Sequence, residues 1–367
     1  MINKKIKVVM VTNHFGITGI GTVMMNYCKA LDKNNYDLTI LAGLPIAEKY
    51  EQECKEIGIH LIVLPSRHGE PLKHYVALWK ALKAGEYDIL HDHGNSPKMT
   101  IELMLARLAG IKVRIAHCHN KIPSNKLINK VFRYFFQYSY TKALACSELA
   151  GNWLFGAGNF QVLINGFNTE EFLYDEKQRE MVRKQLNIEE CYVIGHVGRF
   201  NVQKNQPFLL DIFEEVAKNE PKAVLLLVGT GPDFEKTKKL VDNHPFYNRI
   251  ILYGESNKIP SLYSAMDVFV FPSKYEGLGL VAVEAQISGL PCVVSDAVPK
   301  EIVVGNKVTF VPLKESASSW SNIVLNQLTK IEHREDFFEQ NKFSISLYEM
   351  NKCVEELDSV YQRAMEE

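Results

Sequence analysis

DVFVFPSKYEGLGLVAVEAQISGLPCVVSD, residues 267–296, decides the fold. An apolar run rich in Val and Phe ends at Pro272-Ser273, a glycine-rich turn follows, a helical stretch runs to Ser288-Gly289, and Pro291 opens a second β-branched run. Strand, turn, helix and strand in that order form one unit of a parallel sheet. Glu276 falls in the turn, and Gly277, Leu278, Gly279 and Leu280 form the start of the helix. Backbone N–H groups at such a start are free to meet a phosphate. Glu284 follows about one turn into the helix, where a carboxylate accepts hydrogen bonds from vicinal hydroxyls, as acids do for ribose in nucleotide folds.

The same rhythm extends outward in both directions. YVIGHVGRF (192–200), AVLLLVGTG (223–231) and RIILYG (249–254) read as strands, with helical patterns at 233–241 and 280–289. In the first half IKVVMVT (6–12), DLTILAG (37–43), HLIVLP (60–65), DILHDH (88–93), VRIAHCH (113–119), ALACS (143–147) and QVLING (161–166) alternate with helical stretches, which predicts six or seven parallel strands. Between them DEKQREMVRKQLNIEE (175–190) is dense in charge and marks a boundary. Two doubly wound α/β domains in tandem are therefore expected, 1–170 and 171–345, with an amphipathic segment 346–367 beyond the second sheet. Open α/β sheets bind ligands at their carboxyl ends, in a crevice.

The chain's 367 residues, 46% of them hydrophobic and 23% charged, exclude the collagen-like, linker-like and disordered classes. No stretch approaches the roughly 18 apolar residues of a membrane span, and Met1–Lys7 carries no cleavage site, so a cytoplasmic location is expected. The seven cysteines are scattered and never spaced C-x-x-C, which argues against a disulfide framework or a Cys-rich zinc site. The net charge of −1 hides an asymmetry: residues 1–170 hold 20 Lys and Arg against 13 Asp and Glu, the remainder 22 against 30. A basic half of this kind suits an anionic partner, a phosphorylated substrate or a membrane surface.

GRFNVQKNQ places Gly198, Arg199 and Lys204 just after a strand. A bidentate fork beside a point charge suits a diphosphate that gains negative charge as it departs. HFGITGIGT sets Gly16, Gly19 and Gly21 after the first strand. The dinucleotide fingerprint is incomplete there, because the second strand ends Leu41-Ala42-Gly43 with no acid, so the loop suits close approach to a phosphate or sugar rather than NAD. His91/His93 and His117/His119 each occupy one face of a strand end. No carboxylate or Cys completes a zinc set, and at least one imidazole is expected to meet substrate while the others hold the strand ends. KIPSNKLINKVFRYFFQYSYTK (121–142) holds five basic residues, six aromatics and no acid, which fits an interfacial membrane helix or an amphipathic helix with aromatics in the core.

The string Ser273 to Leu280 with Glu284-Ala285 and Gly289-Leu290-Pro291, together with Gly198-Arg199-Phe200 and Lys204, resembles the retaining glycosyltransferases of family four. Ser147-Glu148 and Asn165-Gly166-Phe167-Asn168 fall where that family's patterns do, and AHCHN is similar to its bacterial members that build capsular and exopolysaccharide chains on lipid-linked acceptors. The resemblance implies a GT-B fold, two Rossmann-like domains facing a cleft, with the final helix crossing back to the first. It implies retaining, metal-independent transfer of a hexose or N-acetylhexosamine from a nucleotide sugar, UDP-linked by expectation, with no cofactor and no nucleic acid. On matching positions Arg199 and Lys204 bind the donor diphosphate, Glu284 the ribose, and Glu276 with the 277–280 backbone the donor sugar. His119 touches that sugar from the first domain, and Gly19 lets its loop approach the diphosphate. Two rival readings are a nucleotide-sugar 2-epimerase and a non-catalytic sugar-nucleotide-binding subunit. The latter is expected to lack the basic or the acidic pair, and both are present.

Overall fold

The computed structural model describes residues 5–121, 126–329 and 333–367, with the backbone alone at 126–130. It divides into two units, one of residues 1–167 with 347–367 and one of residues 168–346.

The first unit is a seven-stranded parallel sheet made of β1 (Ile6–Thr12), β2 (Tyr36–Gly43), β3 (His60–Leu64), β4 (Ile89–Gly94), β5 (Val113–Cys118), β6 (Lys142–Ala145) and β7 (Gln161–Val162), in the order β3-β2-β1-β4-β5-β6-β7. Between the strands run α1 (Gly19–Ala30), α2 (Glu48–Ile57), α3 (Pro71–Gly85), α4 (Thr100–Leu108), α5 (Lys126–Phe136) and α6 (Glu148–Phe155). Val8, Val9, Met10 and Val11 of β1 are all buried, the sign of a strand covered on both faces, which is why its sequence shows no alternation. The strand forecast at 161–166 pairs only at its first two residues. Beyond them Asn165-Gly166-Phe167 turns toward the chain's last helix. Phe167 pairs with Glu349, and a Cβ on Gly166 would lie 2.8 Å from the Cβ of Cys353, so only glycine lets the helix come this close.

The second unit holds six parallel strands: β8 (Tyr192–Val197), β9 (Ala223–Val228), β10 (Ile250–Gly254), β11 (Val268–Phe271), β12 (Cys292–Ser295) and β13 (Val308–Val311), ordered β10-β9-β8-β11-β12-β13. Its helices are α7 (Glu176–Leu186), α8 (Gln206–Asn219), α9 (Phe234–Asp242), α10 (Ile259–Ala265), α11 (Leu280–Ile287), α12 (Ala317–Leu328) and the short α13 (Phe337–Gln340) and α14 (Lys342–Ser346). The charged run 175–190 is no loose connection: it forms α7, and Arg179 and Arg183 clamp the two oxygens of Asp267 at 2.6 and 3.1 Å. That carboxylate also accepts from the backbone N–H of Val193, at 2.7 Å, so one acid ties α7 to the starts of β8 and β11.

α15 (Met350–Glu366) belongs to the first unit, where Cys353, Leu357, Val360 and Tyr361 join the core of β1 and β2. Each such buried side chain contributes roughly 1.5–3 kcal/mol. Polar contacts fix the helix in register, since the Tyr36 hydroxyl donates to Asp358 at 2.6 Å and receives Gln362 at 3.0 Å. No helix among the described residues is long and apolar enough to cross a membrane.

Candidate functional site

Both strand orders reverse direction once, between β1 and β4 and between β8 and β11. Loops leave such a switch point in opposite directions and open a crevice at the strands' carboxyl ends. In the second unit the residues singled out from sequence fall on those loops: Gly198, Arg199 and Lys204 follow β8, and Glu276 with Gly277, Leu278, Gly279 and Leu280 follows β11.

There the Lys204 ammonium sits 2.8 Å from Glu276 Oε1 and 4.5 Å from the centre of the Phe271 ring. Gln203 Nε2 donates to the other oxygen of Glu276 at 3.0 Å. Both carboxylate oxygens are thus engaged, and the pair is buried, with side-chain exposures of 14% for Lys204 and 6% for Glu276. Backbone contacts hold the loop in place: Lys274 N–H donates to Gln203 O at 2.8 Å and Asn205 Nδ2 to Pro272 O at 3.2 Å. Arg199 is exposed and unpaired among the described residues. Gly279 caps α11 at φ +94°, a conformation that favours glycine, and offers no side chain to the first turn. No side chain caps that turn, where Ala282 N–H donates to the Gly279 carbonyl at 2.9 Å, and helix-start N–H groups of this kind suit an anion.

Glu284 lies one turn into α11 and accepts from the Tyr263 hydroxyl of α10 at 2.9 Å. Shielding from water pushes its carboxyl up to about 7, against the pull of the tyrosine and of Lys204. His196 of β8, which the sequence does not flag, bonds Val270 O through Nδ1 at 3.0 Å. Burial pushes it down to about 4, so it is neutral, and its Nε2 has no hydrogen-bond partner.

In the first unit Gly19 opens α1 behind the N-cap Thr18, whose hydroxyl accepts from Gly21 N–H at 3.3 Å, and a Cβ on Gly19 would meet open space. Ser147 is the N-cap of α6, a structural role for that motif. The four histidines form a two-by-two array. His91 stacks on His93 with centroids 4.1 Å apart and His117 lies tilted against His119 at 4.0 Å, while across the strands His91 Nε2 meets His117 Nδ1 at 3.1 Å and His93 Nδ1 meets His119 Nε2 at 2.9 Å. Tyr361 of α15 bonds His91 Nδ1 at 2.7 Å. Desolvation lowers all four, His119 to about 3, so the array is uncharged. Among the described residues, His91, His93 and His117 each bring a nitrogen within 4.8 Å of the others and form a group that could hold a metal ion. Yet both nitrogens of His91 are already bonded, and the edge-to-edge pairs turn nitrogens on one another rather than toward a common centre, as zinc requires.

Of the segment 121–142, residues 122–125 and the side chains of 126–130 lie outside the described residues. α5 ends at Phe136, short of the end of that segment. Phe136 is buried, whereas Val131, Tyr134, Phe135 and Tyr138 are more than half exposed. The segment therefore divides its aromatics between core and surface.

A pair of Rossmann-like sheets, one with a loop bearing Glu276 and a basic loop at its switch point, is an architecture that nucleotide-sugar transferases use. Residues 17–171 match the family described as Glycosyltransferase Family 4, and residues 177–342 the one described as Glycosyl transferases group 1. The protein named glycosyltransferase EpsF of Bacillus subtilis (strain 168) is 30% identical over 95% of this chain and 94% of its own. The UDP-Gal:alpha-D-GlcNAc-diphosphoundecaprenol alpha-1,3-galactosyltransferase of Escherichia coli is 26% identical over 83% of each. HepE of Anabaena, solved in complex with UDP and glucose, superposes with a TM-score of 0.82 at 17% identity, covering 98% of this chain and 100% of that one. The chain belongs to glycosyltransferase family four, and its fold is GT-B.

Proposed function

We propose that the protein transfers a hexose or N-acetylhexosamine from a UDP-sugar to a lipid-linked saccharide, with retention of anomeric configuration, in the assembly of a capsular or exopolysaccharide. The observation that carries this is the loop constellation at the β8/β11 switch point, with Arg199 exposed, Lys204 held by Glu276, and the uncapped start of α11 beside them. Names of relatives support the donor and acceptor classes: one transfers galactose from its UDP form to a diphosphoundecaprenol-linked sugar, and HepE binds UDP.

In this reading the glycosidic C–O bond breaks through an oxocarbenium-like state. Negative charge grows on the departing diphosphate, and Arg199, Lys204 and the 277–280 amides, with Gly198 beneath them, stabilise it. Preorganised donors of this kind contribute on the order of 10²–10³ each in rate. They supply the charge stabilisation that a metal ion supplies in other transferases. The diphosphate takes the acceptor's proton on the face it leaves, so Glu276, both of whose oxygens are engaged, positions the donor sugar rather than attacking it. Glu284 accepts from the ribose hydroxyls, His119 contacts the sugar, and Gly19 lets the α1 loop approach the diphosphate. The first unit takes the acceptor and the second the nucleotide.

The exposed residues Val131, Tyr134, Phe135 and Tyr138, with Arg133 among them and a basic half around them, support docking on anionic lipid at the inner face of the membrane, where a lipid-linked acceptor lies. To test the function, purified protein is incubated with UDP-sugars and a diphosphate-linked GlcNAc lipid in the presence of EDTA. A disaccharide product with the donor's anomeric configuration is expected. Isomerised UDP-sugar without acceptor, a product of inverted configuration, or a strict need for divalent metal overturns the reading.

A further inference from the structure

The array fixes more than the place of His119. Its Nε2 is committed to His93 Nδ1 at 2.9 Å, so Nδ1 alone is left for a ligand, and that atom is buried with no hydrogen-bond partner among the described residues. His119 is the outermost of the four at 8% exposure, and His93 lies deeper at 1%. One proton sits in the bond between them, and the two ways of placing it differ. If His119 donates, the second proton of the pair sits on His93 Nε2, an N–H sealed in the interior with no acceptor. If His93 donates, that buried nitrogen carries only a lone pair, and His119 bears its proton on Nδ1. Either setting leaves one buried N–H without an acceptor in the free chain, at His93 Nε2 or at His119 Nδ1, but the second places it on the outermost ring, where a bound sugar's oxygen can accept it; orphaned buried N–H groups are rare, which favours the second setting. The His119 main chain is held by its N–H, which donates to Gly94 O at 3.2 Å and to the Asn95 side-chain Oδ1 at 3.1 Å, and the tilted His117 ring packs against its ring at 4.0 Å between centroids.

We propose that His93 is a positioning residue for sugar transfer: by donating from Nδ1 it holds His119 in the Nδ1–H form, so that His119 presents a hydrogen-bond donor to an oxygen of the donor sugar. This rests on the reading that His119 touches that sugar. Tautomer control by a hydrogen bond to the far ring nitrogen is the device that orients imidazoles at metal sites, where losing it costs about 10–100-fold.

The test compares His93→Phe, which keeps a flat ring in the stack but loses the donor, with His93→Asn, whose amide nitrogen falls near the lost Nδ1. UDP-glucose and UDP-galactose serve as donors and UDP alone as a control ligand. Phe is expected to lower kcat/KM for the donor at least tenfold, with UDP affinity and melting temperature near native, and Asn to restore most of the loss. Long-range ¹H–¹⁵N spectra of histidine-labelled protein should show His119 as the Nδ1–H tautomer in the native chain and a mixture in His93→Phe. In a His119→Ala background His93→Phe should cost nothing further. A native His119 protonated on Nε2, native kcat/KM in His93→Phe, or an undiminished loss in the His119→Ala background overturns the proposal. Native activity in His119→Ala instead overturns the reading of His119 itself.

Discussion

Replacing Glu276 with glutamine removes one charge from a buried pair and leaves the Lys204 ammonium without its counter-ion. At 2.8 Å, with an effective dielectric of about 20, the pair attracts by about 6 kcal/mol before desolvation is counted. Glutamine keeps a carbonyl dipole against Lys204, and its burial costs less than that of a carboxylate, so the net loss is about 2–3 kcal/mol. For a body of this size each kcal/mol shifts melting by about 2–4 °C, which lowers the second unit's transition by about 4–12 °C in calorimetry. A diphosphate returns the missing negative charge. Saturating UDP should therefore raise the melting temperature of Glu276→Gln more than that of the native chain. Removing both charges, in Glu276→Gln with Lys204→Met, should recover most of the lost stability while abolishing the extra UDP shift. A variant that melts within about 1 °C of native shows the pair to be energetically idle. An equal UDP shift in the two proteins shows that the diphosphate does not lie against Lys204.

The Arg199 guanidinium is exposed and makes no hydrogen bond or ion pair among the described residues, so Arg199→Ala should leave melting nearly unchanged while lowering kcat on the order of 10²–10³, read by UDP release. The Glu284 carboxyl, pushed up to about 7, lies above its unfolded value of 4.5, so its burial favours the folded chain below pH 4.5 and that contribution is lost as pH rises through 7. Ribose binding needs the ionised form, so UDP affinity should run the opposite way and fall roughly tenfold from pH 8 to pH 6. Titration calorimetry against Glu284→Gln, in which that dependence should vanish, checks it. Leu357→Ala empties a fully buried site where α15 meets the first unit's core, and should destabilise that unit by about 2–5 kcal/mol without changing UDP affinity.

Much of this molecule is written in short-range pattern. Continuous Val, Ile and Leu runs such as 223–228 declare strands covered on both faces, and the turns that follow them place Gly198, Arg199, Lys204 and Glu276 at strand ends without any coordinates. Where local signal is ambiguous the reading strays. The polar run 175–190 marks the boundary between the domains but does not declare the helix α7 within it, whose two arginines find a shared partner in Asp267, far along the chain. The apolar VLI of QVLING has strand propensity, but the strand stops at Val162 and the following residues are drawn off to the final helix at Gly166.

The sequence by itself determined two parallel sheets, the loops that carry the charged residues, and the alternation that sets His91 beside His93 and His117 beside His119. These depend on neighbours two to four residues apart, and side-chain periodicity encodes them directly. Tertiary structure alone decided which charges neutralise one another, that Tyr263 meets Glu284, that Tyr361 reaches His91, and which nitrogen of His119 is spent. Each is a distance between residues separated by tens to hundreds of positions, fixed by how strands register and where a helix returns, and no local pattern carries that information.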